Sequence, residues 1–399
     1  MNLPNTATQP VSPQPATTGL ALAAGFADGL GLRVMCDAYG PLILPQSAAA
    51  ASIATANLPG AGVLPPAAPV ASVDWNEPQL CALAEYGLIT VTGAESIKFL
   101  NSQLTNDVSL LAFDAMQLNG YCTPKGRLLA SLIEWGDDQG RSLAIARDLA
   151  APIAKRLSMY VMRTKAKVVD ESAGWMALGL MGSDLAPILA RIDLNVPGPM
   201  QRVGGGGKIA LGLAAVSAPG ESVTSTVAST GESISQTVQR VMLWLAADQA
   251  VAAVQALGVP LTSPQSWRYG EVAAGTARIT LATSEAFVPQ MINFDLIAGV
   301  SFKKGCYPGQ EIVARTHYLG KLKRRTLRGE VNASGQPGDD IVIAATGEPC
   351  GKLLLSAQIA PNRYSILFEV QMSAAESGGL FIAGQPITLQ ALPYPVTAG

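Results

Sequence analysis

The residues with most chemistry to offer lie together in 302–325, FKKGCYPGQEIVARTHYLGKLKRR, where one thiol sits among lysines, glycines and a proline. A cysteine acts as nucleophile or metal ligand through its thiolate, which cationic or helix-N-terminal surroundings favour. Pro308 is placed to open a helix, because its missing N–H has no intrahelical partner at the first position. Glu311 and Arg315 then fall one turn apart as a supporting pair, and Gly320 suits the C-cap. On that reading Cys306 stands one or two residues before a helix N-terminus, with Lys303 and Lys304 beside it. Gly305 and Gly309 leave space for close approach to the sulfur. The competing reading is a Pro-Gly turn next to a buried structural cysteine. The run 321–328, KLKRRTLR, has the period of a strand. Its ordinary meaning is a solvated edge strand guarded by cations, and its functional one a local site for phosphates or a polyglutamate tail.

This cationic cluster stands out because the chain is otherwise poor in charge. Of 399 residues only 14% are charged and the formal net charge is −2, against about a quarter charged in an average soluble protein. Nothing global draws the chain to nucleic acid or anionic lipid, so any basic patch must be local. The five cysteines (Cys36, Cys81, Cys122, Cys306, Cys350) are scattered, odd in number and contain no C-x-x-C pair, and His317 is the only histidine. That argues against a disulfide framework and against a self-contained metal site, and for reduced thiols in a cytoplasmic setting. The most apolar stretch, from Val241, carries Asp248 and two glutamines and reads as an amphipathic helix rather than a membrane span. The N-terminus has no basic n-region, and Arg33 is the one cation in the first seventy residues. Neither a signal peptide nor a transit peptide fits.

The elements that must hold the cluster follow in order. Residues 1–73 are low in complexity and largely disordered by composition, with a strand pair inside 29–44 that could dock on the body. A strand at 87–93 precedes a helix at 94–111 with Ile97, Leu100 and Leu104 on its apolar face. The stretch 118–146 reads as hairpins turning at Thr-Pro-Lys-Gly and Gly-Asp-Asp-Gln-Gly, and 151–172 as a helix then a short strand. The four glycines 204–207 lack the Lys-Ser/Thr of a phosphate-binding loop, and with the Ser/Thr-rich run behind them they mark a looped insertion at about 204–235. After His317 short strands separated by glycine-rich turns predict a small β-barrel or sandwich.

At 304–315, KGCYPGQEIVAR, the chain resembles the signature of the YgfZ-type folate-binding proteins, a branch related to the aminomethyltransferase (T-protein) of the glycine cleavage system. Lys304, Gly305, Cys306, Tyr307, Gly309, Gln310, Glu311 and Arg315 fill that signature without a gap. FVPQMINFDLIAGVSF at 287–302, FLNSQLTNDVSLL at 99–111 and YCTPKGRLLASLI at 121–133 resemble the family too, so the likeness spans about 80–392. It implies an α+β fold of three lobes in a ring around a central channel. The folate-binding region would occupy 74–316, in two lobes, and a small C-terminal β-barrel 317–399. It further implies tetrahydrofolate or another reduced folate in the channel, Cys306 as the working thiol with Lys304 beside it, and no metal. At matching positions Gln103, Asn106, Asp107, Lys125, Arg127, Gln290 and Asn293 become candidate folate contacts. Arg127 and Lys125 would take the glutamate carboxylates, since arginine binds carboxylates bidentately. Each has a plainer reading: Asn106-Asp107 can simply end a helix and Lys125-Gly126 can be a hairpin turn.

Members of that family resemble factors that help assemble or repair iron–sulfur clusters and that affect tRNA modification through radical enzymes. The implied partners are therefore a reduced folate and cluster enzymes or assembly proteins, with no membrane. In aminomethyltransferases the stretch after the glycine of PKGRLLASL carries paired aspartates, one of which assists methylene transfer. Ala130 and Ser131 stand there in this chain, and neither can move that proton. This argues against ordinary glycine cleavage. The alternative function is a folate-dependent one-carbon transferase acting on some other amine. Direct tRNA binding through 321–328 is a third reading, and the acidic overall balance argues against it.

Overall fold

A computed structural model describes residues 17–30, 32–37, 39–45, 77–137, 140–218, 237–318 and 322–396. The architecture is α+β and rests on three antiparallel-rich sheets. The first takes its strands in the order Met116–Cys122, Leu128–Asp137, Gly140–Ala146, Tyr86–Thr92 and Lys167–Asp170, every neighbour antiparallel. It begins as the predicted pair of hairpins, and the helix Arg147–Val161 packs Leu149, Ile153 and Leu157 into its core.

The second sheet runs Arg202–Gly205, Lys208–Ser217, Thr237–Ala246, Trp175–Gly182, Gln79–Ala82 and Leu261–Thr262, and only the last pair is parallel. Two expectations are corrected here. The stretch from Val241 is not one helix: Thr237–Ala246 is a central strand, and the helix starts afterwards at Ala247–Leu257. A continuous apolar run buried on both faces has no period that separates strand from helix. The supposed insertion is also narrower. Gly204–Gly207 closes a hairpin in which Gly205 faces Lys208, and Lys208–Ser217 is a full strand of the sheet. Residues 219–236 lie outside the described ones.

The third sheet has seven strands, ordered Gln385–Pro386, Leu380–Ile382, Asp340–Ile343, Pro349–Ala360, Arg363–Gln371, Arg324–Val331 and Thr388–Gln390. Its two edge strands are consecutive in sequence, parted only by Ile387. The sheet must therefore curl until its edges are one piece of chain, a nearly closed barrel. Arg324–Val331 pairs with Arg363–Gln371 along its whole length and with Thr388–Gln390 at Arg328–Glu330, so it is not the sheet's outermost strand, although Arg324–Leu327 has a strand neighbour on one side only. The boundary expected between 316 and 317 falls inside the helix Gln310–Tyr318.

Near the start, the described residues contain more order than composition suggests. Thr17–Gly29 is a helix whose Ala23, Phe26 and Ala27 are buried in the core of the second sheet, and Leu32–Asp37 pairs with Gly40–Pro45 as a hairpin. The rest of 1–73, on which the disorder expectation falls, lies outside the described residues. The helix expected at 94–111 is shorter, Ser96–Asn101 followed by one turn at Val108–Leu110. Phe99, not Ile97, is its buried anchor with Leu100.

Candidate functional site

Cys306 is exposed, whereas Cys81, Cys122 and Cys350 are buried free thiols. Pro308 does not open the helix, which begins at Gln310. Gly309 has φ +82°, and a Cβ there would stand 2.4 Å from the Thr123 carbonyl oxygen and 2.6 Å from Gly126. Its missing side chain is thus taken up by the turn at 123–126, not by anything approaching the sulfur. Cys306 consequently lies farther from the helix N-terminus than the spacing predicts. Gly305, in contrast, faces open space. Glu311 and Arg315 are both exposed, and no ion pair joins them among the described residues. Gly320 lies outside the described residues.

Lys304 turns away from solvent. Its Nζ donates to the carbonyls of Asn101, Leu104 and Asn106, each at 2.7 Å, and lies 5.4 Å from the Tyr307 ring centroid. Three protons meet three acceptors, so this ammonium fastens the thiol loop to 101–106. Burial pushes it down to about 8, against the pull of Asp107 and Glu134. Gln310 continues the tie by donating to the Lys304 carbonyl at 3.4 Å, and the Tyr307 ring is buried beneath it. Beside the loop, Phe302 stacks on His317 at 3.7 Å, and Tyr318 meets both edge-on.

The other expected contacts lie mostly within the framework. Asn106 donates to the Leu118 and Ala298 carbonyls and accepts from the Asp107 N–H. Asp107 caps the turn Val108–Leu110 through Ser109. Gln103 is buried against Ser102, its Oε1 without a partner. Lys125 is exposed on the hairpin turn, and Arg127 donates to the Ala286 carbonyl at 2.7 Å. Arg127 borders an open hollow of about 370 Å³ together with Arg324, Lys352, Asp340 and Glu369. Gln290 donates to the Val313 carbonyl, and Asn293 bridges the Thr326 carbonyl and the Tyr394 hydroxyl. The arginines of the basic run are spent internally: Arg324 pairs with Glu369, Arg325 with Asp295 at 2.6 Å, and Arg328 donates to the Tyr269 hydroxyl, while Lys323 is exposed.

The central cavity belongs to a different set of residues. About 300 Å³ opens where the first two sheets meet 271–297, and the C-terminal Tyr394 closes one side. Its walls are mainly apolar, with Ser131, Tyr86, Glu271, Arg240 and Arg278 supplying the polarity. None of Cys306 and the seven expected contacts lines it. Ser131 does, and its Oγ accepts from the Ile279 N–H at 2.8 Å, while Ala130 packs in the core. Tyr86 donates its hydroxyl to Glu271, and Arg278 donates to Glu85 at 2.6 Å and stands 3.6 Å from Glu271. Burial alone would raise the Glu85 carboxyl, but Arg268 and Arg278 hold it down at about 2. Glu271 Oε2, Arg278 Nε and Nη1, and Arg240 Nε are buried without hydrogen-bond partners. Such orphans in a native fold require an explanation, and a bound molecule supplying both donors and acceptors is one. Sequence reasoning singled out Ser131 as the place of a missing acid but missed Glu85, Tyr86, Arg240, Glu271 and Arg278. The available signal was the cluster of charges at 268–278, WRYGEVAAGTARI from Trp267, inside a chain so sparing of them.

Comparison with known proteins bears on this geometry. No protein-family model matches the chain. The tRNA-modifying protein YgfZ of Pectobacterium carotovorum subsp. carotovorum is 28% identical over 330 residues, covering 80% of this chain and 92% of that protein. YgfZ of Pectobacterium atrosepticum is 26% identical and that of Yersinia enterocolitica 27%, each over 80% of this chain. Among solved structures, the glycine cleavage system aminomethyltransferase T of Bartonella henselae superposes with a TM-score of 0.65 over 96% of this chain and 98% of that one, at 14% identity. The fold is that of an aminomethyltransferase, and the likeness to YgfZ, read from the thiol motif and three further stretches, extends over four fifths of the sequence.

Proposed function

We propose that this chain is a reduced-folate-binding accessory factor that supports iron–sulfur cluster enzymes, those that modify tRNA among them, with Cys306 as the working thiol. The observation carrying this reading is the cavity wall. Glu271, Arg278 and Arg240 surround an apolar space at the lower end of ligand pockets, about 300–1,000 Å³. The pyrimidine half of a reduced pterin is planar and apolar on its faces, and its edge carries adjacent donors and acceptors. Glu271 would accept from the amino and ring N–H groups, and the unpartnered N–H groups of Arg278 and Arg240 would meet the ring carbonyl and nitrogens. Bound there, a reduced folate would supply a carrier for one-carbon units. The glutamate tail would leave through the mouth, and the framework roles of Asn106, Gln290 and Asn293 make them supports of the wall, not contacts.

Cys306 is a separate feature. It lies outside the cavity on an exposed loop, so its reaction partner is a macromolecule or a small species arriving from solvent. The free thiols fit a reducing cytoplasm, and among the described residues no helix is long and apolar enough to cross a membrane. The aminomethyl-transferase alternative has one observation in its favour, the Glu271 carboxylate on the wall where Ser131 replaces the usual acid.

Titration with tetrahydrofolate, read by tryptophan fluorescence, tests the reading. Saturable binding is expected, weakened at least tenfold by Glu271→Gln. Cys306→Ala should bind folate as the wild type does, yet fail to restore cluster-enzyme activity in cells lacking the protein. Absence of folate binding sinks the proposal, and full rescue by Cys306→Ala favours the transferase.

A further inference from the structure

We infer that the N-terminal hairpin, Leu32–Asp37 with Gly40–Pro45, is a strap that fixes the cavity's charged wall, with Asp37 and Tyr39 as its positioning residues. The inference rests on reading that cavity as a ligand site. Arg268, Arg278 and Arg240 bring three cations into the interior against two carboxylates, Glu85 and Glu271. The hairpin supplies the third: Arg268 Nη1 reaches Asp37 Oδ2 at 2.5 Å and Nη2 reaches Oδ1 at 3.2 Å. The opposite side of the same guanidinium holds Glu85 through Nε and Nη2. Arg268 is 1% exposed, and all three nitrogens of its guanidinium donate to one or both of the two carboxylates.

Glu85 is the shared member, for its Oε1 also holds Arg278. While Asp37 satisfies half of Arg268, Glu85 can divide itself between the two arginines. Without Asp37, Arg268 would claim Glu85 outright. Arg278 would then turn to Glu271, closing the carboxylate that a cavity ligand needs. Tyr39 acts on the same pair. Its ring lies 4.1 Å from the Arg268 guanidinium carbon and 5.7 Å from that of Arg278, whose guanidinium is also 4.4 Å from the Tyr86 ring. Its hydroxyl accepts from the Ser356 N–H at 2.7 Å on the barrel strand Pro349–Ala360. The strap thereby ties the second sheet's helix Gln265–Ala273, the cavity wall and the barrel to one turn of chain. Arginine over aromatic faces is favourable when desolvated, as here.

The test measures tetrahydrofolate affinity of the full chain alongside hydrogen exchange of 265–278. Asp37→Asn and Tyr39→Leu should each weaken folate about tenfold and speed exchange in that segment. Asp37→Glu should restore both to within about twofold, and Tyr39→Phe, which keeps the ring over both arginines and gives up only the Ser356 bond, should restore affinity to that level. A merely structural strap would lower the melting temperature in all four without this division between conservative and non-conservative variants. If Asp37→Asn does not fold, the Tyr39 pair carries the comparison. Wild-type affinity and wild-type exchange in Asp37→Asn and Tyr39→Leu would overturn the strap and leave the folate reading standing. Should the wild type bind no folate while those variants exchange faster, the folate reading falls and the strap's hold on 265–278 stands.

Discussion

At the scale of single residues, the fold places ionisable groups where burial decides their charge. Glu134 is fully buried, accepts from Asn119 and Gln117 through Oε2, and faces Arg141 at 3.5 Å. Burial pushes its carboxyl up to about 7, more than the Gln117 bond, Arg141 and Lys304 pull it down. The folded chain then keeps a proton that the unfolded chain releases above about 4.5, so this group's contribution to stability falls as pH rises from about 4.5 to about 7 and is flat beyond. Glu134→Gln removes the titration. Denaturant melts of both proteins from pH 5 to 7.5 should show the variant gaining on the wild type as pH rises, by about 3 kcal/mol at most. A constant difference across that range would mean that Glu134 is ionised throughout. Lys304 belongs to the same polar layer. With all three protons committed to carbonyls, it serves the thiol loop as an anchor and not as an acid or base for Cys306.

At the scale of elements, the thiol loop depends on one glycine and is indifferent to another. Gly309→Ala forces a side chain into a positive-φ position against the Thr123 carbonyl, which costs about 2–4 kcal/mol from strain and displacement together. Gly305→Ala meets nothing and should change stability by less than about 0.5 kcal/mol. Equal melting points for the two variants would refute this placement of the turn at 123–126. The same contrast marks what could be read beforehand. The strands of the first sheet and barrel were legible because apolar residues alternate between Gly- and Pro-bearing turns. The helix Thr17–Gly29 was hidden although Ala23, Phe26 and Ala27 keep helical spacing, because Ala- and Thr-rich sequence on either side looks like a linker. Thr237–Ala246 was misread because a doubly buried strand carries no period. The thiol motif was legible as chemistry, but its geometry was not: positive φ at Gly309, not Pro308, sets where the helix starts. Of the cavity wall the sequence offered Ser131 and a cluster of charges at 268–278, but not their assembly. Tyr86, Arg240, Glu271 and Arg278 come from separate elements, and only the packing of two sheets brings them together.

At the scale of the whole molecule, the charge distribution decides between direct and indirect action on RNA. The chain carries 27 cations against 29 anions, and in the one run dense enough to grip phosphates the three arginines are committed inward while Lys323 is exposed. Arg324 and Arg325 are held by Glu369 and Asp295, and Arg328 points to Tyr269. Freeing either ion-paired arginine for a phosphate would strand a carboxylate that is almost fully buried, a penalty of about 3–5 kcal/mol when one partner of a buried pair is removed. On the thiol segment 302–318 the exposed cations are Lys303 and Arg315, with Glu311 between them in sequence, and the turn that Gly309 packs against adds Lys125. That is too few for a stable nucleic-acid footprint, since each neutralised phosphate steepens the salt dependence by about 0.9 in log K against log salt on a duplex. Filter binding of bulk tRNA between 50 and 200 mM salt should therefore give a slope shallower than about −3, with affinity no tighter than ordinary non-specific binding, about 10⁻⁴–10⁻⁶ M. Arg324→Ala and Arg325→Ala should lower the melting temperature without changing that slope. A slope near −6 that either substitution reduces would place RNA on the barrel strand and count against the indirect action proposed above.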